Sequence, residues 1–465
     1  MAWRLFQPVN ISSLVFFRIV FGMLGFADVL NSYIYYHWIV DAYNPEKFQF
    51  RYYGFEWVHP LPEPFMSILF LSICGLAILV MLGKWYRISS LLFALGFTYT
   101  FLLEKSHYLN HGYLFCWISF VMIFLPAHRQ FSADVLRRPE LKSATTPYWC
   151  LFLLQFLMGV AYFYGGIAKL NADWLHAIPL RQWLEQRSGA PGIGPLLKQE
   201  WMPYFMAYGG LLLDLTVVFF LIIRKTRPWA FAAVLFFHLM NHLVFNIGIF
   251  PFLSVALTAL YFPPGFPMHL YEKLKGRLPF LKRVKMWWEE RTAGEGSQKA
   301  PLWQGAARWR TPILTGLLIA MLFHLLAPLR HHLFPGDVAW TEEGHRYSWR
   351  MMLRSKQGYG TFIVRDKDTG AEEKVDPVDW LDKKQYRKLY THPDMILQFA
   401  HHLRDTYRQQ GKTVEVFADI RMQLNFREYH TFIDPATDLA QEEWHFFRHS
   451  GWIVPEKTNA EHSVN

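Results

Sequence analysis

Long apolar runs separated by short polar loops dominate the first two thirds of the chain. Runs long enough to cross a bilayer as helices lie at about residues 13 to 35, 65 to 83, 88 to 104, 113 to 127, 148 to 169, 203 to 223 and 311 to 328. The run 229 to 263 is longer than one span, and its polar Asn241, His242 and Asn246 predict two short helices. The pattern therefore predicts a mainly α, polytopic membrane helical bundle of about nine spans.

Residues 331 to 465 have the pattern of a folded domain outside the membrane. Thr413 to Asn425 alternates between apolar and polar side chains, which is typical of a half-buried strand. Gly358 to Val375 predicts a hairpin that turns around Asp368-Thr369-Gly370. His392-Pro393-Asp394 predicts the start of a helix that stops near Gly411. These elements predict a C-terminal mixed α/β extramembrane domain.

Composition and charge fit this division. The chain has 465 residues, 52% of them hydrophobic, with 47 Lys+Arg against 37 Asp+Glu. Basic residues collect in alternate loops: Arg4; Lys84 and Arg87; Arg129, Arg137, Arg138 and Lys142; Arg224, Lys225 and Arg227; and 273 to 310. By the positive-inside rule, the N-terminus is cytoplasmic and the C-terminal domain is not. We expect a transmembrane catalytic domain at 1–330, with a basic cytoplasmic loop at 264–310, and an extramembrane domain at 331–465.

Other patterns narrow the class of protein. The excess of positive charge lies in these loops and not on soluble basic helices, so no nucleic-acid partner is expected. The segment 282 to 288 predicts an interfacial basic helix, followed by a Gly294-Glu295-Gly296-Ser297 linker. The three cysteines fall in or beside apolar runs without C-x-x-C spacing, so neither a disulfide framework nor a cysteine zinc site is expected.

Lys169 is the first candidate for chemistry, because it lies at the exit of an apolar span. A bilayer disfavours a charged amine by roughly 2.5 to 3.5 kcal/mol on insertion scales. Desolvation would turn the side chain into a neutral base. Alternatively, the ammonium extends to the interface or pairs with Asp173. The preceding Gly165-Gly166 allows another helix or a flat ligand to approach closely.

Two segments share the pattern H-x-x-N-H and provide the remaining candidates. They are His107, Asn110 and His111, and His238, Asn241 and His242. If each segment is helical, its three side chains share one face and lie in the same leaflet as Lys169. The alternatives are interhelical hydrogen bonds, worth about 0.6 kcal/mol each, and a metal site. Four histidines without clustered acids are too few for a di-metal centre, so no metal is predicted.

Three further ionisable residues, Arg18, Asp28 and Asp214, fall inside predicted spans. Charged groups inside a bilayer normally face the interior of a bundle and pair with one another. We therefore expect all three to face inward, with a structural role and an Arg18–carboxylate pair.

Several of these motifs together resemble one family. They are Lys169-Leu170-x-Ala172-Asp173-Trp174, Asn110-His111-x-Tyr113-Leu114, Phe237-His238-Leu239-Met240-Asn241, Met81-Leu82-Gly83-x-x-Tyr86-Arg87-Ile88-Ser89, Tyr347-Ser348-Trp349-x-Met351-Met352, Phe432-x-Asp434-Pro435 and Trp452-x-x-Pro455. In their order along the chain they resemble the vitamin K-dependent γ-glutamyl carboxylases, with an HTTM-type membrane domain. The resemblance runs from about Leu14 to Pro455.

The resemblance implies a reaction at the membrane. Reduced vitamin K, a naphthohydroquinone, is deprotonated and reacts with O2 to give a strong base and finally the epoxide. That base removes a γ-proton from a glutamate side chain of a protein or peptide substrate, and CO2 adds to the carbanion. Lys169 matches the catalytic base of the family, and His111 matches a histidine that hydrogen-bonds the quinone oxygens. His238 lies in the motif of the quinone pocket, to which we also assign Asn241, Asn110 and His107.

Two other functions agree with the same residues. The first is a quinone epoxidase or quinone-linked oxygenase that does not carboxylate peptidyl glutamate. The second is a non-enzymatic membrane carrier or scaffold, in which the His/Asn stripes only hold helices together. Membrane lipid is a partner in all three cases, and the sequence does not define the oligomeric state.

Overall fold

The computed structural model describes residues 2–35, 43–45, 47–245, 247–292 and 307–456. Helices occupy all nine predicted positions in the apolar part of the chain. They are α1 (Ser12–Tyr35), α2 (Phe65–Leu82), α3 (Tyr86–Leu102), α4 (Asn110–Phe124), α5 (Trp149–Ala168), α6 (Met202–Ile222), α7 (Arg227–Phe245), α8 (Phe250–Ala259) and, beyond the basic loop, Arg310–Leu326. The long run after Arg227 therefore divides into two helices, as predicted.

Within the described ranges, six helices are long and apolar enough to cross a membrane. They are Ser12–Ile34, Phe65–Leu82, Trp149–Ala168, Met202–Ile222, Arg227–Phe245 and Arg310–Leu333. The other three, α3, α4 and α8, have 17, 15 and 10 residues. At 1.5 Å per residue, a helix needs about 20 residues to cross the hydrocarbon core. The structure thus supports a polytopic bundle, and the count of nine spans stays a prediction.

Small residues allow a close helix crossing between α5 and α6. A Cβ atom at Gly166 would lie 2.7 Å from Leu215 Cδ2 and 2.9 Å from Leu215 N. A Cβ atom at Gly165 would lie 3.3 Å from Asp214 Oδ2. Only glycine allows this approach, which is how membrane helices commonly pack. The Gly-Gly pair therefore admits a neighbouring helix, one of the two roles that the sequence allowed.

Arg18 pairs with no carboxylate in the part of the chain that the structure describes, contrary to the sequence expectation. Its guanidinium group is buried and donates hydrogen bonds to three backbone carbonyls, those of Ala127 (2.8 Å), Gln130 (3.3 Å) and Phe131 (2.5 Å). These carbonyls follow the end of α4 and have no helical partner, so they suit a guanidinium donor.

The predicted basic helix exists within the hairpin of α9 (Phe266–Lys275) and α10 (Pro279–Thr292). Trp288 is buried and packs against Phe131, with ring centroids 5.0 Å apart. Phe280 and Trp287 remain exposed beside the lysines and arginines of α10. The predicted Gly294–Ser297 linker lies outside the described residues. Next along the chain comes the last apolar helix, α11 (Arg310–Leu326).

The C-terminal domain contains a four-stranded antiparallel sheet with the order β4-β3-β5-β6. After the short pair β1 (Pro8–Asn10) and β2 (Thr145–Pro147) earlier in the chain, its strands are β3 (Lys356–Asp366), β4 (Glu372–Val375), β5 (Val414–Leu424) and β6 (His430–Thr431). Its helices are α12 (Lys383–Leu389) and α13 (Pro393–Gln409). The hairpin, the alternating strand and the helix after His392 are therefore confirmed.

Shorter helices connect these elements at Ala2–Leu5, Ala133–Arg137, Ala172–Leu175, Ile178–Gln186, Gly194–Leu197 and Val338–Thr341. The bundle and the C-terminal domain have separate hydrophobic cores. Phe115 and Leu154 are fully buried in the first core, and Phe362, Phe399 and Ile420 in the second. The chain thus forms two folded units.

Polar contacts hold the C-terminal domain on one end of the bundle, at the loop between α3 and α4. Lys105 Nζ lies 2.6 Å from Asp394 Oδ2. Gln385 Nε2 donates to Glu104 Oε2 at 2.8 Å. The backbone N–H of Tyr347 donates to the Tyr108 hydroxyl at 2.8 Å. These contacts place the C-terminal domain as a roof over the membrane helices.

Candidate active site

A cavity of about 710 Å³ lies between the helical bundle and this roof. Its volume is within the usual range of small-molecule sites. Five of the six predicted site residues line it: Asn110, His111, Lys169, His238 and Asn241. They come from α4, α7 and the end of α5, so the fold brings together three distant parts of the sequence.

Lys169 lies immediately after the last residue of α5, where the chain leaves the helix. Asn171 then caps the next short helix by accepting a hydrogen bond from the Trp174 N–H at 3.0 Å. This break directs the Lys169 side chain into the bundle, where it is 7% exposed. Lys169 Nζ donates to Asp214 Oδ2 at 2.5 Å and to Gly165 O at 3.2 Å. The ammonium also lies 5.4 Å from the centre of the Trp174 ring.

Asp214, and not Asp173, is therefore the partner of Lys169. Asp173 instead accepts a hydrogen bond from Asn425 Nδ2 at 2.6 Å and pairs with Arg427. Asp214 faces the bundle interior as expected, but the sequence did not predict its pairing with Lys169. Two features of the sequence could have indicated it. Asp214 is a carboxylate inside a predicted span, and Gly165-Gly166 on α5 lets another helix approach closely, so together they imply a buried counter-ion for Lys169.

Two histidines share one wall of the cavity. The rings of His111 and His238 each lie 5.8 Å from Phe250, one stacked and the other edge-on. His238 Nε2 and the Tyr162 hydroxyl are hydrogen-bonded at 2.9 Å. His238 Nδ1 is buried and has no hydrogen-bond partner among the described residues. A buried ring nitrogen of this kind normally has a partner, so it is suited to hold a bound molecule.

The first H-x-x-N-H segment does not form one helical face. His107 ends a short 3₁₀ turn (Lys105–His107), and α4 begins only at Asn110. The His107 ring packs edge-on against Tyr43, with centroids 6.2 Å apart, and it does not belong to the cavity lining. His242 in the second segment packs against Phe252. The assumption of a continuous helix was therefore wrong for His107, and we leave this residue out of the site.

The membrane-side part of the cavity suits a flat, mostly apolar molecule with two polar ends. Its walls include Met158, Met206, Phe237 and Phe250. Asn110 Oδ1 accepts a hydrogen bond from the Tyr108 hydroxyl at 2.9 Å, which fixes its amide near His111. With His238 Nδ1 and Asn241, these groups provide polar contacts for the oxygens of a small ligand. We call this part the quinone pocket, after the ligand that the sequence resemblance implies.

The roof-side part has a different character, and we call it the basic chamber. Its lining includes Lys105, Arg346, Arg350, Arg354, Lys356, Lys384, Arg387 and Lys388. Glu342 is the only acidic residue among the described residues that line it. The sequence analysis assigned no role to these cations, because they come from the loop after α3, the segment before β3, and α12. Tertiary structure alone collects them.

The chamber contains two buried carboxylates that are fully compensated. Glu342 accepts hydrogen bonds from Arg354 Nε at 2.6 Å and Lys356 Nζ at 3.1 Å. Asp394, just behind the lining, pairs with Arg346 and Lys105 at 2.6 Å each. Burial alone would raise the pKa of Glu342, but Arg354 and Lys356 hold it well below its ordinary range. Both carboxylates are therefore ionised, and neither neutralises Arg350.

Burial also lowers the pKa of lysines in the chamber, so they lose their positive charge more readily. It lowers the pKa of Lys356 to about 8, and that of Lys105 and Lys384 to about 8 as well. Arg350 forms no ion pair with the described residues, and its Nε is buried without a hydrogen-bond partner. The chamber therefore presents surplus positive charge near neutral pH.

One group in the roof has metal-ligand spacing. The ligand atoms of Glu342, His345 and His392 lie within 4.8 Å of one another. The carboxylate already accepts hydrogen bonds from Arg354 and Lys356, and these charges oppose a divalent cation. We assign no metal to this group.

Comparison with known families identifies both parts of the chain. Residues 6–266 match the HTTM domain. Residues 310–459 match the vitamin K-dependent gamma-carboxylase, lumenal domain. No solved structure matches the chain. The apolar helices and these two domains agree in describing an integral membrane protein. Because these two domains together cover most of its length, the chain belongs to the vitamin K-dependent γ-glutamyl carboxylase family.

Proposed function

We propose that this protein is a vitamin K hydroquinone-dependent carboxylase of glutamate residues, which couples γ-carboxylation to epoxidation and uses O2 and CO2. The continuity of the cavity carries this proposal. One space joins an apolar pocket with a buried amine to a chamber with surplus positive charge. This arrangement suits a lipid-soluble reductant in the quinone pocket and an anionic acceptor in the basic chamber.

The quinone pocket supplies a base in a place sheltered from water. Reduced vitamin K provides the reducing power for the reaction with O2 and the strong base that this reaction generates. Lys169 removes a proton from a hydroxyl group of the hydroquinone, while His111 and His238 orient its oxygens. Asn110 and Asn241 hold the same edge. Because Lys169 is 7% exposed, its amine competes with few water molecules.

The apolar walls formed by α6 and α7 suit the isoprenoid tail of the hydroquinone. Phe205 and Phe236 line the cavity, yet about half of each side chain is exposed, on the surface that faces lipid. A ligand with a long apolar chain would therefore enter sideways between these helices.

The basic chamber receives the glutamate side chain of a protein or peptide. Arg350 and the lysines around it would bind the γ-carboxylate and lower the cost of a second negative charge when CO2 adds. In the orientation that the positive-inside rule predicts, the N-terminus is cytoplasmic, and the C-terminal domain receives the substrate on the opposite side of the membrane. The acceptor then reaches the reacting oxygen from above, without crossing the bilayer.

A two-product assay tests the proposal. Purified protein is given reduced vitamin K, O2, labelled bicarbonate and a short glutamate-rich peptide, and both the epoxide and labelled peptide are measured. Lys169→Ala should reduce both products by about 10²- to 10⁴-fold, the usual contribution of a general base. Lys198→Ala is the matched control, because this lysine is exposed and outside the cavity.

The outcomes separate the three candidate functions. Both products, lost in Lys169→Ala but kept in Lys198→Ala, support the carboxylase. Epoxide without labelled peptide indicates a quinone epoxidase or oxygenase with another acceptor. Neither product from folded protein indicates a carrier or scaffold.

A further inference from the structure

Lys169 and Asp214 form a buried ion pair. The proposed function assigns a role to Lys169 but none to Asp214. Lys169 Nζ and Asp214 Oδ2 are 2.5 Å apart, and the two side chains are 8% and 7% exposed. Among the described residues, Asp214 accepts a hydrogen bond from Lys169 alone. Gly165 leaves space for the carboxylate, since a Cβ atom there would lie 3.3 Å from Oδ2. The pair is thus isolated from other charged side chains.

An ammonium ion cannot accept a proton, so a catalytic lysine must first lose one. In a site with little water, release of that proton to solvent would leave Asp214 as an uncompensated buried anion, which is costly. Transfer along the existing hydrogen bond avoids this cost, because an ion pair becomes a neutral amine beside a neutral carboxylic acid. The short distance between the two atoms suits such a transfer.

We propose that Asp214 is the internal proton acceptor of Lys169, so that the amine is neutral before the hydroquinone reacts. This inference rests on the proposed function. Asp214 acts through Lys169, as a positioning residue that also stores a proton.

The proton balance closes within the pair. First, an N–H bond of Lys169 breaks and an O–H bond forms on Asp214. Next, the Lys169 amine takes a proton from a hydroquinone hydroxyl, so the pair carries one extra proton and one positive charge. Finally, the O–O bond breaks, and Asp214 returns its proton through Lys169 to the oxygen atom of O2 that does not enter the epoxide. That oxygen takes its second proton from the γ-carbon of glutamate and leaves as water, while the second hydroxyl proton of the hydroquinone passes to solvent. The pair then carries its original number of protons, and the first step sets it to a neutral amine and a carboxylic acid again before the next hydroquinone reacts.

Several other titratable groups line the same cavity as the pair. From the bundle these are Tyr162, His111 and His238, and from the roof Arg350. Tyr162 and His238 are hydrogen-bonded to each other. None of them is hydrogen-bonded to Asp214. Asp214 is therefore the carboxylate whose removal isolates the proton transfer.

The first test measures the pair without any hydroquinone. An infrared difference spectrum between wild type and Asp214→Asn at pH 7 should contain the C=O stretch of a protonated carboxyl group, shifted in heavy water. A spectrum with ionised carboxylate bands alone overturns the proposal. This readout does not depend on turnover, so it separates failure of this inference from failure of the proposed function.

The second test uses the rate of epoxide formation. Asp214→Asn still accepts a hydrogen bond from Lys169 but cannot take its proton, so kcat should fall about 100-fold. Asp28→Asn removes an acid from α1, outside the cavity, and should leave kcat unchanged. An Asp214→Asn enzyme as fast as wild type overturns the proposal.

Asp214→Glu keeps the test decisive if the asparagine variant does not fold. Glutamate retains the proton-accepting group with a changed reach. A folded Asp214→Glu enzyme within about 10-fold of the wild-type kcat supports the role of the carboxylate. A folded Asp214→Glu enzyme that forms no epoxide overturns it.

Discussion

The quinone pocket and the basic chamber belong to one cavity but treat charge in opposite ways. Among the described residues that line it, the pocket has one lysine, Lys169, paired with one acidic residue, Asp214. The described lining of the chamber has eight lysines and arginines and one acidic residue, Glu342. The difference shows how one cavity can present two electrostatic environments. A charged group buried in a bilayer helix needs a compensating partner, a counter-ion for Lys169 and backbone carbonyls for Arg18, whereas the roof is free to accumulate one sign.

The largest effect is expected on stability, from removal of the Glu342 carboxylate that compensates cations of the basic chamber. Glu342→Gln should destabilise the protein by about 3–5 kcal/mol, because Arg354 and Lys356 would lose their buried counter-ion. Thermal unfolding in detergent measures this loss. Glu415→Gln is the control, since Glu415 forms a partly exposed pair with Arg365. Equal stability of the two variants would contradict a structural role for Glu342.

The next effect concerns the helix crossing that positions the pair in the quinone pocket. Gly166→Ala should cost about 1–3 kcal/mol and reduce turnover, because the new methyl group would collide with Leu215 on α6. Gly75→Ala is the control, since no atom lies within 4 Å of a Cβ atom there. Thermal unfolding and epoxide formation are measured together. Unchanged turnover in Gly166→Ala would show that the crossing does not set the geometry of the pair.

A third prediction separates the two halves by their ligands. Arg350→Gln should raise the KM for the glutamyl peptide about 10-fold and leave the KM for hydroquinone unchanged. The variant loses a charged hydrogen bond to the peptide in the basic chamber and none in the quinone pocket. Arg421→Gln, on an exposed side chain of β5 outside the cavity, is the control. If both KM values rise together, the two ligands do not occupy separate halves.

The reciprocal variant is His238→Ala. It should raise the KM for hydroquinone about 5-fold, more than it lowers kcat, because the loss is one hydrogen bond in the quinone pocket. His176→Ala, at an exposed position, is the control. Equal changes in kcat and kcat/KM would instead assign His238 to the chemistry itself.

The smallest effect is a pH dependence of acceptor binding. Burial lowers the pKa of Lys105, Lys356 and Lys384 to about 8, so the basic chamber loses positive charge as pH rises through that value. The KM for the glutamyl peptide should therefore rise a few-fold between about pH 7 and pH 9. Steady-state kinetics at several pH values, with a neutral glutamine peptide as competitor, measures this change. A constant KM would place the acceptor away from these lysines.

The sequence predicts periodic structure well and the partners of charged groups poorly. The strand Val414–Leu424 was predictable, because its apolar residues alternate with a period of two and all six are buried. The pairing of Lys169 with Asp214 was not, because 45 residues separate them and only the α5–α6 crossing brings them together. His107 was misplaced because the start of α4 depends on the turn before it. The basic chamber was not predicted, since its cations come from separate elements.

The contacts between the loop after α3 and the roof have a consequence for biogenesis. The bundle can insert as soon as its helices leave the ribosome, but the cavity closes only when Lys105 meets Asp394 and Gln385 meets Glu104. Those partners are synthesised after all of the bundle helices. A nascent protein therefore carries Lys169 and its histidines before the cavity has its roof. The order of synthesis thus makes closure of the cavity a late step in folding.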